Sequence, residues 1–475
     1  MIQIPKGMQA KLHSKLSHWQ NKAIKAGRRA LDVDINLAVT GLSGAGKTAF
    51  ISGLVHHLRF ASQTPQYPFW QAAQQGRLLG CKRNLQRDYH VQRFRYDEAI
   101  ASLCHSSPTW PASTQGTSSI SLSLKYKTQQ QLKSWLGDTH CLNIKITDYP
   151  GEWLLDLPLL RWDFKQWCEV IDSRYQHHAA YQNFKQKCRE INWQGGADER
   201  VLESLSTVYT QFLLELKQQG YSWIQPGRFV LPSTWQNTPA LHFVPLPIEL
   251  IDNIQDGAQS LLQLNMKRYA YYVEHIVKPF YVDHFSEFDR QVILVDGLSA
   301  LNLGQAHVED LQYSLNELNH SFRYGKQSWL SRLLNPKIDK VLFAASKADQ
   351  ITPDQYANYQ LFIQHLSSQP AQELNYSEVE MQYLALSAIK ASQLGSAKHE
   401  GQDYQVLTGQ LKSNQQTVCL FPGEVPKSVL STNFWQHNQF DFASFLPPTG
   451  LSEQAAFPHI AMDKVCEFLL GDKLQ

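Results

Sequence analysis

Residues 41 to 48 read Gly-Leu-Ser-Gly-Ala-Gly-Lys-Thr and fit the spacing G-x-x-x-x-G-K-[ST] at Gly41, Gly46, Lys47 and Thr48. These residue types suit a polyphosphate. Glycines let the backbone curl until successive N–H groups face inward. A helix opening directly after the loop adds unpaired N–H groups and the positive end of its dipole. The expected contacts run from the loop into the helix: Gly41, Ser43, Gly44, Ala45, Gly46, Lys47, Thr48 and Ala49. Lys47 is expected to bridge the β- and γ-phosphates and so to act in catalysis, and the Thr48 hydroxyl to hold Mg²⁺. The purely structural reading is a glycine-rich turn before a helix.

Three more segments add chemistry. Asp148-Tyr-Pro-Gly151 fits D-x-x-G. Asp148 could hold Mg²⁺ through water beside Thr48. Gly151 could give its N–H to a γ-phosphate and release it after hydrolysis, which makes the segment a switch. Ser346-Lys-Ala-Asp349 fits a relaxed [NTS]-K-x-D, with Ser346 where Asn or Thr is usual. Guanine shows N1–H and an amino group side by side, and the Asp349 carboxylate could accept from both. Adenine has no such pair, so this position selects the base. The Lys347 stem could pack on the purine face. Ser387-Ala388-Ile389 would bring a backbone N–H to the guanine O6. The competing reading of 346–349 is a polar strand-to-helix loop.

Several roles stay open. The threonine that completes the metal shell should lie just before a strand at Ile120, and Thr114 and Thr117 both qualify. Glu152 follows Gly151, where a water-positioning Gln is common. A carboxylate there could orient and deprotonate water; a salt bridge or a surface charge is the equal alternative. Arg93 and Arg95 lie upstream by position only, so no arginine finger is named. The pairs His56-His57 and His177-His178 fall to structure, because neighbours on a helix point apart.

The elements that must position these residues are visible in the apolar periods. Val33, Ile35, Leu37 and Val39 alternate as in a strand; Phe50, Ile51, Leu54, Val55 and Leu58 recur as in a helix over 47–60. Ile120, Leu122, Leu124 and Tyr126 alternate, as do Leu142, Ile144 and Ile146 leading into Asp148. The runs 292–295, 340–345 (after its leading Lys340) and 383–386 are continuously apolar, which suits parallel strands covered on both faces. The motifs follow strands and so should converge on one sheet edge. Residues 61–118 show few clean periods, and 106–117 reads as a loop. From 155 to 288 the pattern is helical. Its main stripe runs from Val201 through Leu216 behind the cap Asp198, and a second stretch covers about 258–288. The prediction is an α/β, GTPase-like P-loop NTPase fold: a three-layer sandwich on a mostly parallel sheet, built from 31–154 and 289–396. A mainly helical insertion fills 155–288. A loop-rich extension fills 397–475 and closes in a helix over Phe457–Leu470.

Composition bounds the rest. Lys+Arg 44 against Asp+Glu 42 gives no field that would draw nucleic acid. At 475 residues, 43% hydrophobic, the chain can bury large cores and hold two or three domains, or one domain with insertions. Seven scattered cysteines without C-x-x-C imply neither a disulfide framework nor a thiolate zinc site, and fit a reducing cytoplasm. No apolar run approaches the roughly 20 residues of a membrane span. Residues 6–29 carry Lys6, Lys11, Lys15, Lys22, Lys25, Arg28 and Arg29 with no acid, and Met8, Leu12, Leu16, Trp19 and Ala23 at helical spacing. Residues 1–30 thus read as a basic helix, either interfacial on anionic lipid or docked on its own domain.

The segments at 41, 148, 346 and 387 together resemble the G1, G3, G4 and G5 motifs of P-loop GTPases. The run Asp148-Tyr-Pro-Gly-Glu-Trp-Leu-Leu-Asp-Leu-Pro-Leu-Leu160, with the loop at 41–48, resembles the YcjX-like family of bacterial stress-associated GTPases over most of the chain. The resemblance implies a cytoplasmic or membrane-peripheral switch that binds GTP and GDP, hydrolyses GTP with Mg²⁺ and signals to a protein effector. Without an arginine in cis the intrinsic rate should be slow. An ATP-using enzyme with the same loop, and a nucleotide-bound scaffold with negligible hydrolysis, are the other readings.

Overall fold

Eight strands join in one sheet: β1 (Val33–Gly41), β2 (Leu78–Arg83), β3 (Gln92–Arg93), β4 (Ser118–Lys127), β5 (Thr139–Asp148), β6 (Arg290–Val295), β7 (Lys340–Ala345) and β8 (Glu380–Ala385). The computed structural model describes residues 33–42, 44–63, 67–112, 116–129, 139–252, 260–282, 287–323, 338–367, 379–399 and 401–475. The strand order is β2-β4-β5-β1-β6-β7-β8, with β3 beside β4. β5, β1, β6, β7 and β8 all run parallel, while β4 runs antiparallel to β5 and β2 and parallel to the short β3. The fold is α/β with a mixed, mostly parallel sheet, as the apolar runs imply. Every residue of β6 is buried, the signature of a strand covered on both faces.

Side chains of a strand alternate between faces, and β1 divides its residues accordingly. Ile35, Leu37 and Val39 enter one core, with α1 (Lys47–Phe60) and α2 (Tyr96–Leu103). Ala38 enters the other, which also takes up α3 (Phe164–Tyr175), α4 (Ala179–Arg189), α5 (Glu199–Gln218) and α6 (Leu261–Tyr272). α7 (Gly297–Leu303), α8 (Gln305–Arg323) and α9 (Tyr356–Leu366) cover the same face. The side chain of Asp198 caps α5 by accepting from the Arg200 N–H. Leu202, Leu205, Tyr209, Phe212, Leu213 and Leu216 are its buried stripe.

Several stretches differ from the sequence reading. Residues 61–118, which show few periods, contribute β2, β3 and α2. β2 is an edge strand with a bulge between Leu78 and Gly80, so its alternation is broken. The expected loop-rich extension contains an antiparallel sheet of β9 (Gln393–His399), β10 (Gln402–Gln410) and β11 (Thr417–Leu420), and β9 crosses residue 396. The closing helix α10 spans Met462–Leu470 and does not begin at Phe457. Ile460 is instead bridged to Ser387 by two backbone hydrogen bonds of 3.1 and 2.8 Å, which hold it extended. The basic segment 1–30 lies outside the described residues. Among the described residues no helix is long and apolar enough to cross a membrane.

Candidate functional site

The loop after β1 has the backbone shape its glycines allow. Gly44 and Gly46 sit at φ +76° and +83°, in the left-handed region that side chains disfavour. The Ala45 N–H closes the turn onto Leu42 O at 3.1 Å. No side chain caps the N-terminus of α1, so its first amides remain open to a ligand. Lys47 folds back, and its Nζ donates to Gly41 O at 3.2 Å. Thr48 and Ala49 follow, half-buried in the first turn. Ser43 lies outside the described residues.

Parallel pairing brings the next segment alongside. Asp148 ends β5 in register with Val39 of β1 and Ser118 of β4, and is 1% exposed. Thr117 stands one residue before β4, next to that register position; Thr114 lies outside the described residues. The Thr48 hydroxyl and the Asp148 carboxylate are hard oxygen donors, the kind Mg²⁺ takes. Gly151 packs directly on the glycine loop: a Cβ there would lie 2.1 Å from Gly41 O and 3.3 Å from Leu42 N. Only glycine permits that approach.

Glu152 turns inward and is 6% exposed. Its Oε1 accepts from Lys217 Nζ on α5 at 2.7 Å. Burial opposes the charge, but the ammonium groups of Lys47 and Lys217 outweigh it and hold the carboxyl below the ordinary glutamate value. The residues that follow are gripped by the helical region. Trp153 Nε1 donates to Leu231 O at 3.0 Å, and Gln225 Nε2 to Leu155 O at 2.5 Å. Asp156, fully buried, accepts from Gly227 N at 2.7 Å and from the Tyr272 hydroxyl at 2.5 Å. Arg228 lies 3.5 Å from it and stacks over Trp153. Burial pushes Asp156 up to about 6 despite these partners.

A cavity of about 360 Å³ joins the remaining pieces. Gly44 through Phe50 form one wall; Ser346, Lys347, Asp349 and Gln350 form a second; Leu386, Ser387, Ala388 and Ile389 form a third. Asp349 is buried, which raises its pKa against hydrogen bonds from Ser387 and from the Ala391 N–H. Ser346 Oγ donates to Val295 O at 3.2 Å and ties β7 to β6. Lys347, at φ +61°, pairs its Nζ with Asp296 at 2.5 Å, so the ammonium is anchored while the residue lines the wall. Asp148, Gly151 and Glu152 are not among the lining residues; Gly151 meets the loop at Gly41, Glu152 feels the Lys47 charge, and Asp148 lies in register with Val39 of β1.

Sequence reasoning missed Trp110, Pro111, Lys412, Ser444 and Phe445, which complete the cavity. Trp110 Nε1 donates to Phe445 O at 2.8 Å, a contact across 335 positions. A lone tryptophan in a Ser/Thr/Pro-rich loop was the one available sign. Arg93 and Arg95, 65% and 79% exposed, pair with Asp97 and Glu98 and do not line the cavity. His56 and His57 are both buried and hydrogen-bonded to Tyr96 and Tyr67, a packing role. His57 Nε2 also lies 2.8 Å from Ala388 O and so steadies the third wall.

The profile of the YcjX-like family matches residues 35–474. A protein of Shewanella oneidensis named Ras-like GTPase YcjX is 39% identical over 466 residues, covering 94% of this chain and 96% of that protein. Its namesake in Escherichia coli is 38% identical over 457 residues, covering 94% and 97%.

Proposed function

Because the chain belongs to the YcjX-like family, we propose that it binds GTP and GDP in this cavity, hydrolyses GTP with Mg²⁺ and acts as a stress-related conformational switch. One observation carries the reading: a single cavity is walled by the glycine loop, by Asp349 and by Ser387–Ile389. The loop amides and Lys47 would grip the phosphates, and the Asp349 carboxylate would accept from guanine. Thr48, Asp148 and one of Thr114 or Thr117 would hold Mg²⁺, which would supply charge neutralisation on the phosphates. In the reaction a water oxygen bonds to the γ-phosphorus while its bond to the β–γ bridging oxygen breaks. GDP leaves with that electron pair. Glu152 takes the water proton and returns it to the released phosphate. Gly151, pressed against Gly41, would register the γ-phosphate and pass the change along 151–157.

In this reading residues 31–154 and 289–396 form the nucleotide-binding unit, 155–288 the insertion that carries the output to a protein effector, and 397–475 an extension that closes the base end. Cysteines unpaired throughout suit a cytoplasmic setting. Peripheral membrane contact through residues 1–30 is tested by liposome co-sedimentation of the full chain against a chain lacking them. The central test is a titration with labelled GTP, GDP and ATP in the presence of Mg²⁺. Guanine nucleotides should bind and ATP should not compete. Lys47→Ala should weaken GTP at least about tenfold, the loss of one charged phosphate contact. Equal binding by Lys47→Ala, or ATP binding as tight as GTP, would remove the proposal.

A further inference from the structure

Two neighbours of Glu152, the residue after Gly151, come from the helical insertion. Gly227 closes on its backbone: a Cβ at Gly227 would lie 2.0 Å from Glu152 O and 3.2 Å from Glu152 Cβ. Lys217, in the last turn of α5, takes its carboxylate at 2.7 Å. Lys47 of the glycine loop acts on the same carboxylate by charge. A side chain 7% exposed is thus an anion set between a phosphate-gripping lysine and a lysine delivered from 65 residues away. Exposed ion pairs position little. This one is different, because the carboxylate is buried and the Gly227 backbone packs against the residue that carries it. The nearby Arg228 is already engaged with Asp156 and Trp153.

We propose that Lys217 is a positioning residue for GTP hydrolysis: the insertion supplies the cation that holds the Glu152 carboxylate in place at the end of the glycine-loop contact. This rests on the reading of Glu152 as the proton-accepting group. Lys217 is not among the residues that line the cavity; it acts through Glu152. A γ-phosphate arriving at Lys47 repels Glu152, and the Lys217 ammonium is what holds the carboxylate in place against that repulsion. The insertion is then part of the hydrolytic site. A partner that shifts the end of α5 changes the rate without touching the ligand.

The test is single-turnover GTP hydrolysis by the full chain with Mg²⁺, alongside GDP affinity. It compares the unaltered protein with Lys217→Met, Lys217→Gln, Lys217→Arg, Glu152→Gln and the double variant Glu152→Gln/Lys217→Met. Lys217→Met should slow hydrolysis by roughly 10- to 100-fold, the scale of a displaced general base. Its GDP affinity should stay within about twofold, since the lost interaction is not a uniform binding contact. Lys217→Arg should restore most of the rate. In the Glu152→Gln background the lysine substitution should have no further effect. Lys217 is partly exposed, and Lys217→Gln, which keeps a polar tip, should match Lys217→Met if charge is what counts. An unchanged rate in both neutral variants overturns the proposal. So does the same fold-loss in the Glu152→Gln background, which would mean that Lys217 acts on the fold alone. An unaltered protein that hydrolyses no GTP counts against the underlying function and not specifically against Lys217.

Discussion

Replacing Gly151 with alanine should separate GTP from GDP. The backbone at Gly151 is compatible with any residue, since its φ is not among the positive values. The obstacle is external: the new methyl would sit 2.1 Å from Gly41 O and 2.8 Å from its carbonyl carbon. Both are backbone atoms at the end of β1 and cannot swing aside like a side chain. Relief requires the 149–152 segment to lift from the glycine loop. Overpacking of this kind costs about 1–3 kcal/mol in stability. Lifting the segment also withdraws the Gly151 N–H from a γ-phosphate, and a hydrogen bond to a charged group is worth about 1.5–3 kcal/mol. GTP affinity should therefore fall roughly 10- to 150-fold, while GDP, which has no γ-phosphate, changes far less. Titrations with fluorescent GDP and a non-hydrolysable GTP analogue give the ratio directly, and a melting curve gives the stability term. If Gly151→Ala keeps both the unaltered affinity ratio and the unaltered melting temperature, the close approach has no functional meaning and the switch assignment fails.

Two further outcomes follow from groups in and behind the site. Asp349→Ala should abolish the preference for GTP over ATP by removing the acceptor for the paired guanine donors; a variant that still discriminates by competition binding refutes the base assignment. Asp156 titrates at about 6 in the folded chain against an ordinary 3.8, because burial disfavours its charge. A raised folded value means the stabilising contribution is fully present below the unfolded value and is lost as pH rises through about 6. The unaltered protein should thus gain on Asp156→Asn by something of order 1–3 kcal/mol between pH 7 and pH 4. Urea unfolding of both proteins across that range checks the sign; a flat difference would mean that Arg228 and Tyr272 fully compensate the burial.

The parts of the fold legible in the sequence are those where burial is regular. β1, β5, β6 and β7 lie in the sheet interior, so their apolar patterns are long and clean; β8 is an edge strand, legible through its apolar end at 383–386, which is buried from Leu384 onward. α1 and α5 carry full stripes and, for α5, a visible cap. The other edge elements are a different matter: β2 is bulged, β3 has two residues, and α2 is short, so none accumulates a period. The glycine loop, Asp349 and Ser387–Ile389 were selectable in advance because their chemistry demands fixed residue types at fixed local spacing, and the structure sets them around one cavity. Phe445 and Lys217 have no local signal, and Trp110 has only its place in a Ser/Thr/Pro-rich loop. Their roles come from contacts with residues hundreds or dozens of positions away, which only the folded chain brings together. Of Glu152, the sequence left a base and a salt bridge as equal options; the structure supplies the ion pair, and the base role is the proposal made above.

The cavity draws its boundary from nearly the whole length of the polypeptide, from Gly44 at one extreme to Phe445 at the other. Beneath it, the buried Arg290 that opens β6 fastens onto Leu469 O and Asp472 at the far tail. During synthesis, the glycine loop leaves the ribosome some four hundred residues before the wall that Phe445 completes. A chain cut short between the two carries the loop without the chamber around it.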